Sequence, residues 1–371
     1  MEGTGVLPSQ GLRAAIARGD ISSEVPIEES QIQPASVDLR LGDVAYRVGA
    51  SFLPGRNGIV AEKLKDMALH KLSLTDGAVL ERGCCYIVPL QESLKLRRRV
   101  QAAANPKSST GRLDIFARVI TDYGVEFDRV PEGYEGPLYA EVSPRSFGIV
   151  VRKGSRLVQL RLKRGQPLTS EAGLRRLHEQ IALIDSEPGQ EDIKDGKLAF
   201  TVDAWGGHDG ALIGYRAKKN TGVVDVDLRG EYDAAEFWEP IHSRRDRHGA
   251  IRGLILDPSD FFILATKESV TIPPLYAAEM LAYDTLVGEF RVHYAGFFDP
   301  GFGDPALGAA GTRAVLEVRS HDVPFLVEDG QVVGRLVYEK LTALPDRLYG
   351  MGIGSSYQNQ GLALGKQFKT E

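Results

Sequence analysis

Residues 80–93, LERGCCYIVPLQES, and residues 256–269, LDPSDFFILATKES, form the pair of segments that decides the fold. They match at an offset of 256 − 80 = 176 residues, and Glu92 and Glu268 keep that offset. Two carboxylates set among apolar residues, Glu141 in YAEV and Glu317 in VLEV, are also 317 − 141 = 176 apart. Asp128 and Asp299 differ by 171, which asks only for a small length difference inside a hairpin. A repeat this long is too long for a solenoid and fits two whole domains in tandem.

Each copy reads as β structure. In QPASVDLRLG (33–42), Val37, Leu39 and Leu41 alternate with Asp38 and Arg40, the period of a half-buried strand. Short apolar runs at 78–80, 86–90, 116–120, 138–142 and 156–162, punctuated by Gly and Pro, predict a sandwich or barrel. Helices are few. One is expected over 11–19, with Ser9 as cap and Gly19 as stop, and another over 170–184. The polar stretch SEPGQEDIKDGK then reads as a linker. The expected organisation is a first β domain over 1–165, helix and linker over 166–195, and a second β domain over 196–371.

Net charge is −5, with 43% apolar and 26% charged residues among 371, so no global basic field invites nucleic acid or an anionic membrane. No run reaches the ~20 apolar residues of a membrane span, and the N-terminus lacks the apolar core of a signal peptide. Cys84 and Cys85 are adjacent and offer no disulfide framework. A cytoplasmic protein is expected.

Three segments carry chemistry. Lys107-Ser108-Ser109-Thr110-Gly111-Arg112 offers two hydroxyls, a glycine and flanking cations, a set that suits a polyphosphate and equally suits a polar turn. The P-loop spacing is absent. Its counterparts at the 176 offset are Asp284, Thr285 and Gly288, and an aspartate there repels phosphate. Residues 295–318, AGFFDPGFGDPALGAAGTRAVLEV, read as a hairpin: Asp299-Pro300-Gly301 is its turn, and its return strand carries Glu317. Such a glutamate lies on the solvent face or is buried for a purpose. The tail over 348–361, with Tyr349 and Gln360, reads either as a loose terminus or as a lid over bound ligand.

Together QPASVDLRLG, KSSTGRL, AGFFDPGFG with VLEV, and YQNQG resemble the dCTP deaminase family, of the trimeric dUTPase-like superfamily, in its long, internally duplicated bacterial form. The resemblance implies a mainly β protein: two tandem dUTPase-like β-barrel domains with a few short helices. It implies hydrolysis of dCTP to dUTP and ammonia, with Glu317 as catalytic glutamate and Glu141 as its rival. Lys107, Ser108, Ser109 and Arg112 match the triphosphate-binding set, and Asp299 matches the aspartate that holds pyrimidine and sugar. Val315 and Leu316 fall just before the glutamate, and Tyr349 and Gln360 match tail residues that close over the nucleotide. Sites in this superfamily lie between barrels, so the first barrel is expected to supply Ser108, Ser109 and Arg112, and the second Asp299, Glu317 and the tail. The chain is then a homo-oligomer or pseudo-oligomer of β domains. Two positions depart from the pattern: no lysine stands near Ser356, and Phe297 occupies a hairpin position that is Arg in some members.

Mg²⁺ is expected to arrive with the triphosphate. A zinc route is not expected, because the chain has no CxxC, and His242 and His248 have no partner cysteines. A carboxylate that takes a proton from water attacking C4 is the alternative, its pKa raised by apolar surroundings. Two other readings stand beside this one. GVEFD (124–128) with Tyr134 resembles the dUTPase sugar-binding motif, which suggests dUTP diphosphatase activity, alone or in series. A non-catalytic nucleotide-binding regulatory barrel is the other, disfavoured because a carboxylate among apolar residues is costly for a mere sensor.

Overall fold

Strand Cys85–Lys95 shows how the chain alternates: Tyr86, Val88, Leu90 and Leu94 all enter the first core. It pairs antiparallel with Glu135–Pro144, which pairs in turn with Ile115–Thr121. In the second half Phe261–Val270 pairs with Thr312–Ser320, which pairs with Phe290–His293. Glu141 lies opposite Ile87, and Glu317 opposite Ile263. The 176-residue repeat is therefore also a repeat of strand register.

The computed structural model describes residues 3–187, 189, 191–282, 290–293, 296–307, 311–320, 323–350 and 361–369. In the first half a six-stranded sheet centred on Cys85–Lys95 faces a five-stranded one built on Val158–Arg164 and Val100–Pro106. Val158, Leu160 and Leu162 from one meet Val88, Val119 and Ala140 from the other in a common core. The second half repeats the plan with two five-stranded sheets, whose core joins Leu336 and Tyr338 to Phe262, Leu316 and Val318. The architecture is mainly β, in two tandem units with few helices, as the repeat and the strand pattern implied.

The halves are not independent beads. Strand Val224–Asp225, late in sequence, pairs parallel with Ile149–Val151 of the first half. The first core contains Phe237, Trp238, Phe261 and Phe368 as well as first-half residues. Trp238 is buried as expected of a core tryptophan, whereas Trp205 is only half-buried, with the Arg245 guanidinium 4.4 Å from its ring centroid.

Helix Glu171–Gln180 starts as its sequence indicates, with Ser170 Oγ accepting from the Gly173 N–H at 3.2 Å. Helix Ser9–Ala17 starts differently: Pro8 is its cap, and Ser9 Oγ turns to the Asp346 carboxylate near the other end of the chain. Among the described residues no helix is long and apolar enough to cross a membrane.

Candidate active site

The segment Lys107–Arg112 folds into a single helical turn, Ser108–Gly111, directly after strand Val100–Pro106. Lys107 O accepts from the N–H groups of Thr110 (2.8 Å) and Gly111 (3.0 Å), and Thr110 Oγ1 donates to Leu157 O at 2.8 Å. These bonds direct Thr110 inward and leave Ser108, Ser109 and Arg112 along the wall of a cleft of about 640 Å³.

The opposite wall comes from the second half. Pro300 and Gly301 occupy the centre of the hairpin turn, with Phe302 N–H donating to Asp299 O at 3.1 Å. Gly301 has φ +90°, and Gly303 has φ +65° where an added Cβ would lie 1.9 Å from Val270 O, so neither accepts a side chain. This turn directs Asp299 into the cleft. Its carbonyl face also sets Tyr349, whose N–H donates to Pro300 O at 2.8 Å and whose ring lies 5.4 Å from that of Phe302. In strand Thr312–Ser320 the side chains alternate: Val315 and Glu317 line the cleft, while Leu316 and Val318 enter the core.

One cleft thus gathers Lys107, Ser108, Ser109 and Arg112 with Asp299, Val315, Glu317 and Tyr349. One expected residue is not among its side chains. Leu316 is fully buried in the second core, because strand alternation sends it to the face opposite Glu317. Gln360, like Ser356 and the positions 284, 285 and 288, lies outside the described residues.

Burial dominates the electrostatics. Glu317 is 5% exposed, and desolvation pushes its carboxyl up to about 8 against the opposing pull of Arg112. Asp299 is raised to about 6 by burial and by the Asp38 carboxylate, while Arg161 and Lys107 hold it down. Two carboxyl groups that titrate near neutrality in one cleft are suited to proton transfer.

Glu141 is placed quite differently. Its carboxylate accepts from Arg118 Nη2 at 2.5 Å and Ser51 Oγ at 2.6 Å, and it does not line the cleft. Asp128 is also elsewhere: its carboxylate caps the Val119 N–H at 2.7 Å, and burial raises it to about 7. Tyr134 of the dUTPase-like motif donates to Pro137 O at 2.6 Å, a structural bond.

Sequence profiles describe what this arrangement belongs to. That of the 2'-deoxycytidine 5'-triphosphate deaminase (DCD) N-terminal domain matches residues 3–166, and that of the DCD C-terminal domain matches residues 170–368. The chain belongs to the 2'-deoxycytidine 5'-triphosphate deaminase family. A crystal structure of a 2'-deoxycytidine 5'-triphosphate deaminase from Agrobacterium tumefaciens is 54% identical, with a TM-score of 0.85 over 91% of this chain and 99% of that one. The dUMP-forming dCTP deaminase of Halobacterium salinarum is 36% identical over 110 residues, 29% of this chain and 52% of that protein. That of a Sulfurihydrogenibium species is 27% identical over 158 residues, 42% of this chain and 81% of that protein. The chain thus spans about half the length of several curated relatives that it matches.

Within this cleft lie residues that the sequence did not single out. Arg156 and Arg229 join the cationic wall, and so does Lys366, from beyond the tail motif. Burial, with Lys107 and Arg229 nearby, lowers the Lys366 pKa. Its segment is held by Gln367, which donates to Val226 O at 3.0 Å, and by Phe368, packed on Trp238. Arg112 also donates to Ala363 O (3.1 Å) and Leu364 O (3.2 Å). Only long-range packing brings Lys366 beside Lys107, so no local pattern announces it. Strand alternation predicts an outward Asp38, yet the residue is buried, borders the cleft and pairs with Lys107.

Proposed function

We propose that the protein is a dCTP deaminase that hydrolyses dCTP to dUTP and ammonia. The observation that supports this best is the single cleft in which the first half's Lys107, Ser108, Ser109 and Arg112 face the second half's Asp299 and Glu317. In this reading the serines and cations hold the triphosphate, Asp299 and Val315 border sugar and base, and Tyr349 with Gln360 covers the nucleotide. The Leu316 contribution is through its backbone.

Glu317 acts as base and acid in turn. Its carboxylate takes a proton from water as the oxygen bonds to C4 and the C4–N3 π electrons move to N3, and Glu317 delivers that proton to N3. Glu317 then takes the proton of the new C4 hydroxyl and passes it to the amine; C4=O forms as the bond from C4 to the amine breaks, and ammonia leaves. Raised to about 8, this carboxyl is largely protonated at neutral pH, and the fraction that ionises is a stronger base toward water than an ordinary carboxylate. The cleft's described lining holds no cysteine or histidine, a donor set that does not suit zinc. For Mg²⁺ the fit is better: Asp38 Oδ1 is buried with no hydrogen-bond partner, an oxygen suited to a cation that rides on the triphosphate.

Ammonia release from dCTP with Mg²⁺ tests the reading; wild type without ammonia overturns it. Pyrophosphate measured in the same assay distinguishes simple deamination from the dUMP-forming reaction named for the curated relatives. Because one chain brings both walls together, the chain is read as a pseudo-oligomer of its two β domains. Mixing Arg112→Met and Glu317→Gln chains is then expected to restore no activity, and recovery would mean that the site spans chains.

A further inference from the structure

We propose that Arg161 is a positioning residue for this cleft: from the first half it clamps the second half's hairpin and holds the Asp299 carboxylate in place. The inference rests on the deaminase reading above and concerns how the base and sugar wall is held.

Arg161 lies on strand Val158–Arg164 and is fully buried. A guanidinium withdrawn from water costs several kcal/mol unless its donors are engaged, so its contacts carry weight. Nη1 donates to Ala278 O at 3.0 Å, and Nη2 donates to Phe298 O at 3.2 Å and approaches Asp299 Oδ1 at 3.5 Å. The guanidinium carbon sits 4.0 Å from the Phe297 ring centroid. Three consecutive hairpin residues, Phe297, Phe298 and Asp299, are therefore held by one side chain.

The hairpin needs such a clamp. Among the described residues, strand Phe297–Phe298 is two residues long, lies at a sheet edge, and has the pairs Ala278↔Phe298 and Glu279↔Phe297 with its neighbour. Arg161 binds the carbonyls of Ala278 and Phe298, partners on one rung, and so pins the edge strand to the sheet. Phe297, Phe298 and Asp299 line the cleft while Arg161 does not, so it acts through them. The clamp is one-sided, since 161 + 176 = 337 and residue 337 is Val. At that register position the second half has no guanidinium to offer the hairpin of Asp128.

Charge is part of the device. Asp299 faces Arg161 and Lys107, which favour its carboxylate, and Asp38, which opposes it. Behind Arg161 stand Glu339, 3.8 Å from Nη1, and Lys163, which is 2.6 Å from Glu339 and 3.4 Å from Glu279. Removal of the guanidinium is expected to raise the Asp299 pKa.

The test compares Arg161→Met, Arg161→Lys, Asp299→Asn and the Arg161→Met/Asp299→Asn double variant. Arg161→Met is expected to raise KM for dCTP about 10-fold with kcat changed less than about 3-fold, and to move the acid limb of kcat/KM upward by about one pH unit. The double variant should lose little beyond Asp299→Asn, because both changes act on one carboxylate. Arg161→Lys keeps the charge but cannot span both carbonyls and the ring, so KM rises while the acid limb stays. It also serves if Arg161→Met does not fold. Wild-type KM and pH profile in the variants, or full additivity in the double variant, would overturn the proposal. Calorimetry of dCTP binding to Glu317→Gln with and without Arg161→Met separates the two readings, with about 10-fold weaker binding expected. If wild type releases no ammonia, the deaminase reading fails, while this binding difference still tests the clamp.

Discussion

Glu141 and Glu317 occupy equivalent positions in two copies of one strand pair, opposite Ile87 and Ile263, yet their surroundings diverge. The residue across from Glu141 on the other neighbouring strand is Arg118, and its guanidinium binds the carboxylate and stacks 3.6 Å from the Phe127 ring centroid. Ser51 completes the cage, and nearby helix Val60–Met67 and Phe127 belong to a small separate core. Opposite Glu317 the register places His293, and the carboxylate faces a cleft with Arg112 as its main charged neighbour. The same carboxylate is thus ion-paired in one half and, in the other, buried at the wall of a cleft with its pKa raised. The contrast lies in what surrounds the carboxylate, since its register in the strand pair is the same.

The largest expected effect separates the two carboxylates directly. Glu317→Gln is expected to lower ammonia release from dCTP by about 10³-fold or more, and Glu141→Gln to stay within about twofold. Loss in Glu141→Gln alone would move the site to the other half. Next comes the cationic wall: Arg112→Met should cost about 10–100-fold in kcat/KM, mostly through KM, as loss of a charge-assisted phosphate contact does. A kcat-only effect would remove Arg112 from substrate binding.

The caged copy makes the reverse prediction. Arg118→Met should destabilise the fold by about 2–4 kcal/mol by leaving Glu141 without its partner, with ammonia release retained. Denaturant titration measures the loss, and Arg118→Met/Glu141→Gln should recover most of it. No recovery would mean that Arg118 acts through Phe127 instead.

The smallest effect is a pH dependence of stability. Glu317 keeps its proton up to about 8 in the fold, against 4.5 as its ordinary value. Its favourable contribution is complete below about 4.5 and is lost as pH rises toward 8, since only the native state must bury the ionised group. Glu317→Gln removes that slope, so its melting temperature should exceed wild type by a few degrees at pH 8.5 and converge with it near pH 5. A constant difference would deny that Glu317 is raised.

Much of the protein was legible in residue patterns. The 176-residue offset announced the duplication, and period-2 alternation announced the strands, because both are written in local order. The turn at Asp299-Pro300-Gly301 and the contents of Lys107–Arg112 were equally readable. Leu316 shows the limit of a contiguous motif: alternation makes its side chain core while Val315 and Glu317 face the cleft. Lys366 and Arg161 show a different limit, since their roles depend on residues far off in the chain.

The sequence alone therefore determined that this is a doubled β protein with a carboxylate strand in each half and a serine- and cation-rich segment in the first half only. Tertiary structure decided which carboxylate is caged and which is open, and that the two walls meet within one chain. It also decided that Arg161 of one half grips the hairpin of the other. The reason is physical: identity and spacing set local geometry, but desolvation and charge pairing depend on neighbours that only packing supplies.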